Sequence, residues 1–135
     1  MPQISGYHHV SLTVADIDNS AGWYGQVLGF RKFTDFERDG FRKILLLDPA
    51  SGAVSGFTDH RARASGGAFS EFRTGLDHLA FSVADRAALE AWKARFGQLG
   101  VDHTEIKPSA MGDVIIFRDP DNIQLEVYAQ HAEAE

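Results

Sequence analysis

His9-Val-Ser-Leu-Thr-Val-Ala-Asp16 is the stretch that decides the fold, because the chain repeats it 69 residues later as His78-Leu-Ala-Phe-Ser-Val-Ala-Asp85. Four of the eight positions are identical, and the other four are conservative exchanges. Periods of roughly 20–50 residues are typical of solenoids and propellers. A single recurrence after about half of a 135-residue chain indicates instead two copies of one module.

Each copy predicts a strand that is followed by a helix. Apolar and polar side chains alternate over residues 7–14 and again over residues 76–83, as in a strand with one buried face. Asp16 or Asp18 is suited to cap a helix after the first copy, and Asp85 after the second. The other strand signals lie at residues 30–37, 41–47 and 53–59 in the first half and at 101–106, 114–117 and 123–128 in the second.

The order strand, helix, strand, strand, strand therefore occurs twice, and we predict one α+β domain over residues 1–135 with two tandem βαβββ modules. The modules are expected at about residues 5–60 and 75–129, with their strands in a curved mixed sheet and their helices on its outer face. Residues 61–74 are polar, aperiodic and rich in small residues, which is typical of a linker. Residues 130–135 are expected to form a frayed tail.

Composition excludes several classes of site and partner. The chain has no cysteine, so it can form no disulfide and any metal must be held by His, Asp or Glu. The net charge of −6 without a basic run argues against nucleic acid and anionic membranes as partners. No apolar run is long enough to cross a membrane and no signal peptide is evident, so we expect a cytoplasmic protein.

Strand alternation places three residues with metal-binding side chains on the same face of the sheet. In the first strand of each module the apolar positions pack against the helix, which leaves His9 and His78 on the opposite face. In the last strand Leu125 and Val127 pack, which leaves Glu126 on that face too. Two histidines and a carboxylate are the ligands of a facial triad, with open positions for water or substrate. The alternative is three unrelated polar residues on a solvated face, but a carboxylate between two apolar neighbours needs a partner.

Two further stretches accompany the two copies of the repeat: Trp23-Tyr24-Gly-Gln-Val-Leu-Gly-Phe30 and Asp119-Pro-Asp-Asn-Ile-Gln-Leu-Glu126. Together the four stretches resemble the vicinal oxygen chelate superfamily, which includes glyoxalase I, extradiol dioxygenases, fosfomycin-resistance thiol transferases and bleomycin-resistance proteins. The resemblance covers essentially the whole chain. It implies a sheet that bears a U-shaped cleft around a metal, often in a homodimer with exchanged modules, and it assigns the metal ligands to His9, His78 and Glu126.

The chain departs from each well-known branch of the family. Glyoxalase I places a second glutamate on the fourth strand, where this chain aligns Gly56, or Ser55 if the register slips by one. Extradiol dioxygenases usually carry a tyrosine ten residues before the ligand glutamate, and here that position is Ile116. Fosfomycin enzymes carry a threonine where this chain has Ser11, but basic residues for a phosphonate are not gathered in one place. The resemblance therefore leaves the reaction open.

We predict a metal-dependent lyase, dioxygenase or transferase that binds a small molecule through neighbouring oxygens. The divalent ion (Fe, Mn, Ni, Zn or Co) is expected to act as a Lewis acid. Glu126 and Ser11 are assigned catalytic roles, and His60 and Tyr128 are assigned to substrate binding. The resemblance implies a homodimer. The alternative is a metal-free binding protein of the bleomycin-resistance type, and the complete His/His/Glu set is the feature that argues against it.

Overall fold

One copy of the repeat lies in each of the two units into which the chain divides, Met1–Gly67 and Ala68–Glu135. The structure is a computed structural model that describes residues 1–132. The boundary between the units lies inside the predicted linker, residues 61–74. The tail predicted at residues 130–135 is covered only in part, because Gln130 ends the last strand and residues 133–135 lie outside the described residues.

The first unit has the predicted order of strand, helix, strand, strand, strand. Its elements are β1 (Val10–Thr13), α1 (Ile17–Leu28), β2 (Arg31–Arg38), β3 (Phe41–Leu47) and β4 (Val54–Asp59), followed by a 3-10 turn at Arg61–Arg63. The strands form one four-stranded sheet in the order β1-β4-β3-β2. Strands β1 and β4 are parallel and the other neighbours are antiparallel, so this sheet is mixed.

Helix α1 begins after Asp16, one of the two predicted caps, and ends at Gly29. The carboxylate of Asp16 accepts a hydrogen bond from the backbone amide of Asn19 at 3.1 Å, which caps the first turn. Gly29 ends the helix with a φ of +79°, a conformation that glycine adopts without steric cost. The buried face of the helix packs Tyr24 onto Phe57 of β4, with ring centroids 4.6 Å apart. Helix α1 therefore covers one face of the first sheet.

The second unit repeats this plan. Its elements are β5 (Leu79–Val83), α2 (Arg86–Leu99), β6 (Lys107–Pro108), β7 (Gly112–Arg118) and β8 (Gln124–Gln130). The strand order is β5-β8-β7-β6, with β5 parallel to β8 and the other neighbours antiparallel. The predicted tandem βαβββ architecture is confirmed, with one four-stranded mixed sheet in each unit.

Helix α2 is built like α1. Asp85 caps it by accepting a hydrogen bond from the amide of Ala88 at 2.9 Å, and Gly100 ends it with a φ of +68°. Phe96 is fully buried against Phe117 of β7, with ring centroids 4.5 Å apart. The core of this unit thus lies between α2 and one face of its sheet. Neither of the two helices within residues 1–132 is long and apolar enough to span a membrane.

The strand predicted at residues 101–106 is wrong. This segment makes one isolated bridge to β7, and the ladder beside β7 is limited to the two residues of β6. The hydroxyl of Thr104 accepts a hydrogen bond from the amide of Ile116 at 3.0 Å, so a side chain occupies a place that a strand backbone would fill.

Candidate functional site

The open face of the second sheet carries Glu126 at its centre. Glu126 lies opposite Ala80 of β5 and Ile116 of β7, and residues that lie opposite each other share a face. Its neighbours Leu125 and Val127 point the other way and are buried against α2. Glu126 is itself only 7% exposed. The strand alternation predicted for β8 is therefore confirmed, and the ionisable group that it places on this face is nearly buried.

His78 faces this carboxylate. Its Nε2 lies 3.5 Å from Oε2 of Glu126, and its Nδ1 lies 2.7 Å from Oδ1 of Asp77. An ionised carboxylate only accepts hydrogen bonds, so Asp77 holds a proton on Nδ1 and directs Nε2 toward Glu126. Nitrogen and oxygen ligands lie about 2.0–2.2 Å from a zinc ion. A separation of 3.5 Å therefore suits two donors of one divalent ion.

His9 lies in the first unit, immediately before β1. Its ring is exposed, and its Nδ1 is 2.8 Å from Nδ1 of His8, with the two rings nearly perpendicular. Leu12 and Val14 are buried while Ser11 is exposed, as the predicted alternation requires. Within residues 1–132, no three His, Cys, Asp or Glu side chains are clustered to hold an ion by themselves. The structure thus brings together two of the three predicted ligands.

Gly56 occupies the register position that would carry a fourth ligand. It lies opposite Ser11 in the β1–β4 pair, as Glu126 lies opposite Ala80 in the β5–β8 pair. A Cβ at this position would lie 2.9 Å from Cδ2 of Leu45 and 3.1 Å from Oγ of Ser11, both closer than ordinary van der Waals contact. The first module therefore has no carboxylate here and no ready space for one.

The other predicted site residues make contacts of their own. Oγ of Ser11 is 3.3 Å from Oγ1 of Thr58 on the open face of the first sheet. The hydroxyl of Tyr128 accepts a hydrogen bond from the amide of Met111 at 2.9 Å, so it anchors the turn before β7. His60 is half-buried, directly before the 3-10 turn that follows β4. The catalytic role of Ser11 and the substrate contacts of Tyr128 and His60 stay predictions.

Sequence reasoning missed three residues that contact the predicted ligands, namely Asp77, His8 and Gln124. Asp77 immediately precedes His78, and its equivalent in the first copy, His8, immediately precedes His9. The sequence did offer a hint of these contacts, because the residue before each histidine is polar and can hydrogen-bond to the ring. Gln124 lies two residues before Glu126, and strand alternation placed it on the same face without revealing their contact.

Comparisons with known proteins agree with this architecture. The family model for the glyoxalase/bleomycin resistance protein/dioxygenase superfamily matches residues 6–127. A solved glyoxylase/bleomycin resistance protein/dioxygenase domain from Frankia sp. EAN1pec is 32% identical over 96% of this chain and 100% of that chain, with a TM-score of 0.86. SMU.1112c is 27% identical over 93% and 99% of the two chains, with a TM-score of 0.76.

A more distant structure shares the fold. The fosfomycin resistance protein FosX from Listeria monocytogenes, complexed with Mn(II) and a sulfate ion, is 21% identical over 97% of this chain and 94% of that chain, with a TM-score of 0.71. No curated protein sequence matches the chain. The family match over residues 6–127 and the identity to the Frankia domain show that this chain belongs to the glyoxalase/bleomycin resistance protein/dioxygenase superfamily, the vicinal oxygen chelate proteins.

Proposed function

We propose that this protein is a divalent-metal-dependent enzyme whose ion is held by His9, His78 and Glu126 and binds neighbouring oxygens of a small-molecule substrate. The observation that carries the proposal is the 3.5 Å approach of His78 Nε2 to the nearly buried carboxylate of Glu126. A carboxylate withdrawn from water loses several kcal/mol of solvation unless a cation or hydrogen-bond donors compensate it. A divalent ion between the two side chains would supply that compensation.

The donor set fits such an ion. Imidazole nitrogen and carboxylate oxygen suit borderline and hard divalent metals, and the chain has no thiolate that would favour a soft one. The Mn(II) in the FosX complex is of this kind. When bound, the ion would supply Lewis-acid stabilisation of negative charge on a substrate oxygen.

The protein's own groups would prepare and orient the reactants. Asp77 holds the proton on Nδ1 of His78, so that the Nε2 lone pair is available as a ligand. Glu126 contributes a negative charge in a nearly buried position, where it is weakly screened. Ser11 presents a hydroxyl on the open face of the first sheet, and we propose that it contacts the substrate. The reaction proposed is that of a lyase, dioxygenase or transferase.

The departures from the best-known branches support a three-ligand site. Gly56 cannot supply the second glutamate of glyoxalase I, and Ile116 replaces the tyrosine of extradiol dioxygenases. The space above Gly56 is already filled by Leu45 and Ser11. We therefore propose that the open metal positions are taken by substrate and water rather than by a fourth side chain. The homodimer and the cytoplasmic location stay predictions.

Elemental analysis tests the metal site directly. The protein is purified without chelator and without added metal, and then again after incubation with Mn(II), Fe(II), Co(II), Ni(II) or Zn(II). We expect close to one divalent ion per chain in the wild type and none in His78→Ala. His131→Ala is the matched control, because His131 is an exposed histidine of the same unit that contacts Asp113 instead. A wild type that binds no ion after incubation would contradict the proposal and favour a metal-free binding protein.

A further inference from the structure

We propose that Gln124 is a positioning residue for Glu126, and that the ion pair of Arg118 with Glu71 fixes the orientation of Gln124. This inference rests on the proposed function, because it concerns Glu126 as a metal ligand. Four side chains lie in a continuous hydrogen-bonded series from Glu71 to Glu126, which we call the positioning chain: Glu71, Arg118, Gln124 and Glu126.

The positioning chain begins at a bidentate ion pair. Nη1 of Arg118 donates to Oε2 of Glu71 at 3.0 Å, and Nη2 donates to Oε1 at 3.0 Å. Two parallel charge-assisted hydrogen bonds fix the plane of the guanidinium as well as its position. The pair also holds the pKa of Glu71 at about 2, below its ordinary value of 4.5. Glu71 is therefore ionised and bound to Arg118 throughout the neutral pH range.

Arg118 determines which way the amide of Gln124 points. The two residues lie directly opposite each other on β7 and β8, and Nη2 of Arg118 donates to Oε1 of Gln124 at 3.1 Å. A guanidinium has donors and no acceptor, so only the amide oxygen can face it. The NH₂ group of Gln124 must then face the other way. A glutamine without this neighbour would have no such constraint.

The NH₂ group of Gln124 meets the carboxylate of Glu126. Nε2 of Gln124 donates to Oε2 of Glu126 at 3.2 Å, and this is the oxygen that faces His78. Gln124 and Glu126 are two residues apart on β8, so their side chains project from the same face. One oxygen of Glu126 is thus held between a fixed donor and the predicted histidine ligand. The carboxylate is oriented before any ion arrives.

The far end of the positioning chain is also anchored. The amide of Phe69 donates to the carbonyl of Asp121 at 2.9 Å, and Nδ2 of Asn122 donates to the carbonyl of Phe69 at 3.2 Å. These bonds tie the segment that carries Glu71 to the turn between β7 and β8. A part of the predicted linker at residues 61–74 therefore supports the candidate site within its own unit.

The expected consequence is a loss of metal affinity when Gln124 cannot donate. Groups that orient a metal ligand typically contribute about 10- to 100-fold in affinity. Gln124→Met keeps the length of the side chain and removes its polar atoms. We expect Gln124→Met to bind Mn(II) about 10- to 100-fold more weakly than the wild type in isothermal titration calorimetry. Gln130→Met is the matched control, because Gln130 is an exposed residue at the end of the same strand.

A double-mutant cycle separates positioning from a general structural role. If Arg118 acts on Glu126 through Gln124, the Arg118→Met/Gln124→Met variant binds Mn(II) no more weakly than Gln124→Met. Melting temperatures of the metal-free variants show whether each one folds. Should Arg118→Met not fold, Glu71→Gln replaces it, with the same expectation of no further loss in the Gln124→Met background.

The outcomes distinguish this inference from the function on which it rests. Wild-type affinity in Gln124→Met, with binding lost in His78→Ala, would overturn the role of Gln124 and leave the metal site standing. Additive losses in the double variant would overturn the action of Arg118 through Gln124. A wild type that binds no divalent ion would overturn the proposed function itself, and this inference with it.

Discussion

Gly56 and Glu126 occupy the same register position in two copies of one module, yet only the second copy provides a candidate ligand there. Gly56 lies opposite Ser11 of β1, and Glu126 lies opposite Ala80 of β5. Ser11 and Ala80 are themselves 69 residues apart, like the two copies of the repeat. The backbone register of the duplicated module is therefore retained, while the side chains at its centre have diverged.

The neighbours of this position account for the difference between the modules. Leu45 and Ser11 crowd the space above Gly56, whereas Ile116 and Ala80 flank a carboxylate that has room and partners. A ligand therefore requires more than the correct strand position. The second module has alanine in place of serine on the neighbouring first strand, and it has a donor, Gln124, for the charge of the carboxylate.

The residues before the two histidines show a second difference. Asp77 only accepts hydrogen bonds, so it fixes the proton of His78 on Nδ1. His8 can donate to His9 or accept from it at the same ring nitrogen, so it allows both tautomers. The residue that precedes each histidine thus gives the two predicted ligands different electrostatic surroundings. The second module provides the more strongly oriented histidine.

The largest expected effect is a loss of bound metal, and it tests the difference between the positions of Gly56 and Glu126. Glu126→Gln removes the charge of the candidate ligand, and we expect elemental analysis to find no bound divalent ion. The transplanted carboxylate of Gly56→Glu should not restore it in that background, because Val54 lies where the second module has Gln124 and offers the new carboxylate no hydrogen-bond donor. Gly56→Ala alone, as the control, should keep its metal. Recovery of metal in the Gly56→Glu/Glu126→Gln variant would show that the two modules are interchangeable.

The sequence predicted the face on which Glu126 lies because side-chain alternation is a local property of a strand, whereas the position of Gly56 followed from the resemblance to glyoxalase I. The face of Glu126 followed from its buried neighbours Leu125 and Val127, and the tandem order followed from the repeat. The strand predicted at residues 101–106 failed for a local reason as well, since the hydroxyl of Thr104 takes the place of a backbone group beside β7. Side-chain alternation does not reveal where a side chain will take the place of a backbone hydrogen bond.

The positioning chain could not be predicted in this way. The contact of Gln124 with Glu126 depends on side-chain rotamers, which residue spacing leaves free. Glu71 approaches Arg118 from a segment without periodicity, so only the folded path of residues 69–71 brings them together. The sequence therefore predicted which groups share a face and could not predict which of them touch.

The next largest effect is expected on the free energy of unfolding. It concerns the residue that begins the third strand of each unit, which is Phe41 in β3 and Gly112 in β7. A Cβ at Gly112 would collide with the carbonyl oxygen of Ala129 and lie 2.8 Å from Cα of Gln130, both backbone atoms that cannot rotate away. We expect Gly112→Ala to lower the free energy of unfolding in urea by about 3 kcal/mol, at the upper end for overpacking.

Gly22→Ala is the control for the previous substitution. Gly22 lies in α1, and a Cβ there would meet nothing within 4 Å. Alanine in a helix interior is favoured over glycine, so Gly22→Ala should raise the free energy of unfolding by about 0.5–1 kcal/mol. A value for Gly112→Ala within about 0.5 kcal/mol of the wild type, the ordinary range for surface changes, would contradict the close approach of β7 and β8 at this end.

The smallest expected effect compares two arginine-bound carboxylates, Asp35 in the first unit and Glu71 in the second. Arg42 holds the pKa of Asp35 at about 2, below its ordinary 3.8, and Arg118 holds the pKa of Glu71 at about 2, below its ordinary 4.5. A carboxyl whose pKa is lower in the folded state stabilises the fold above its ordinary pKa. That contribution is lost as the pH falls toward about 2, because the folded state then binds the proton as well.

Urea midpoints of metal-free protein measured from pH 7 to pH 2 test this expectation. The midpoints of Asp35→Asn and Glu71→Gln should lie below that of the wild type at pH 7, and both differences should shrink as the pH falls below 4. Added salt should reduce the Asp35→Asn difference, since Arg42 and Asp35 are partly exposed and ions screen such pairs. Differences that stay constant over the whole pH range would mean that both residues act through packing, and the anchor of the positioning chain would then be steric rather than ionic.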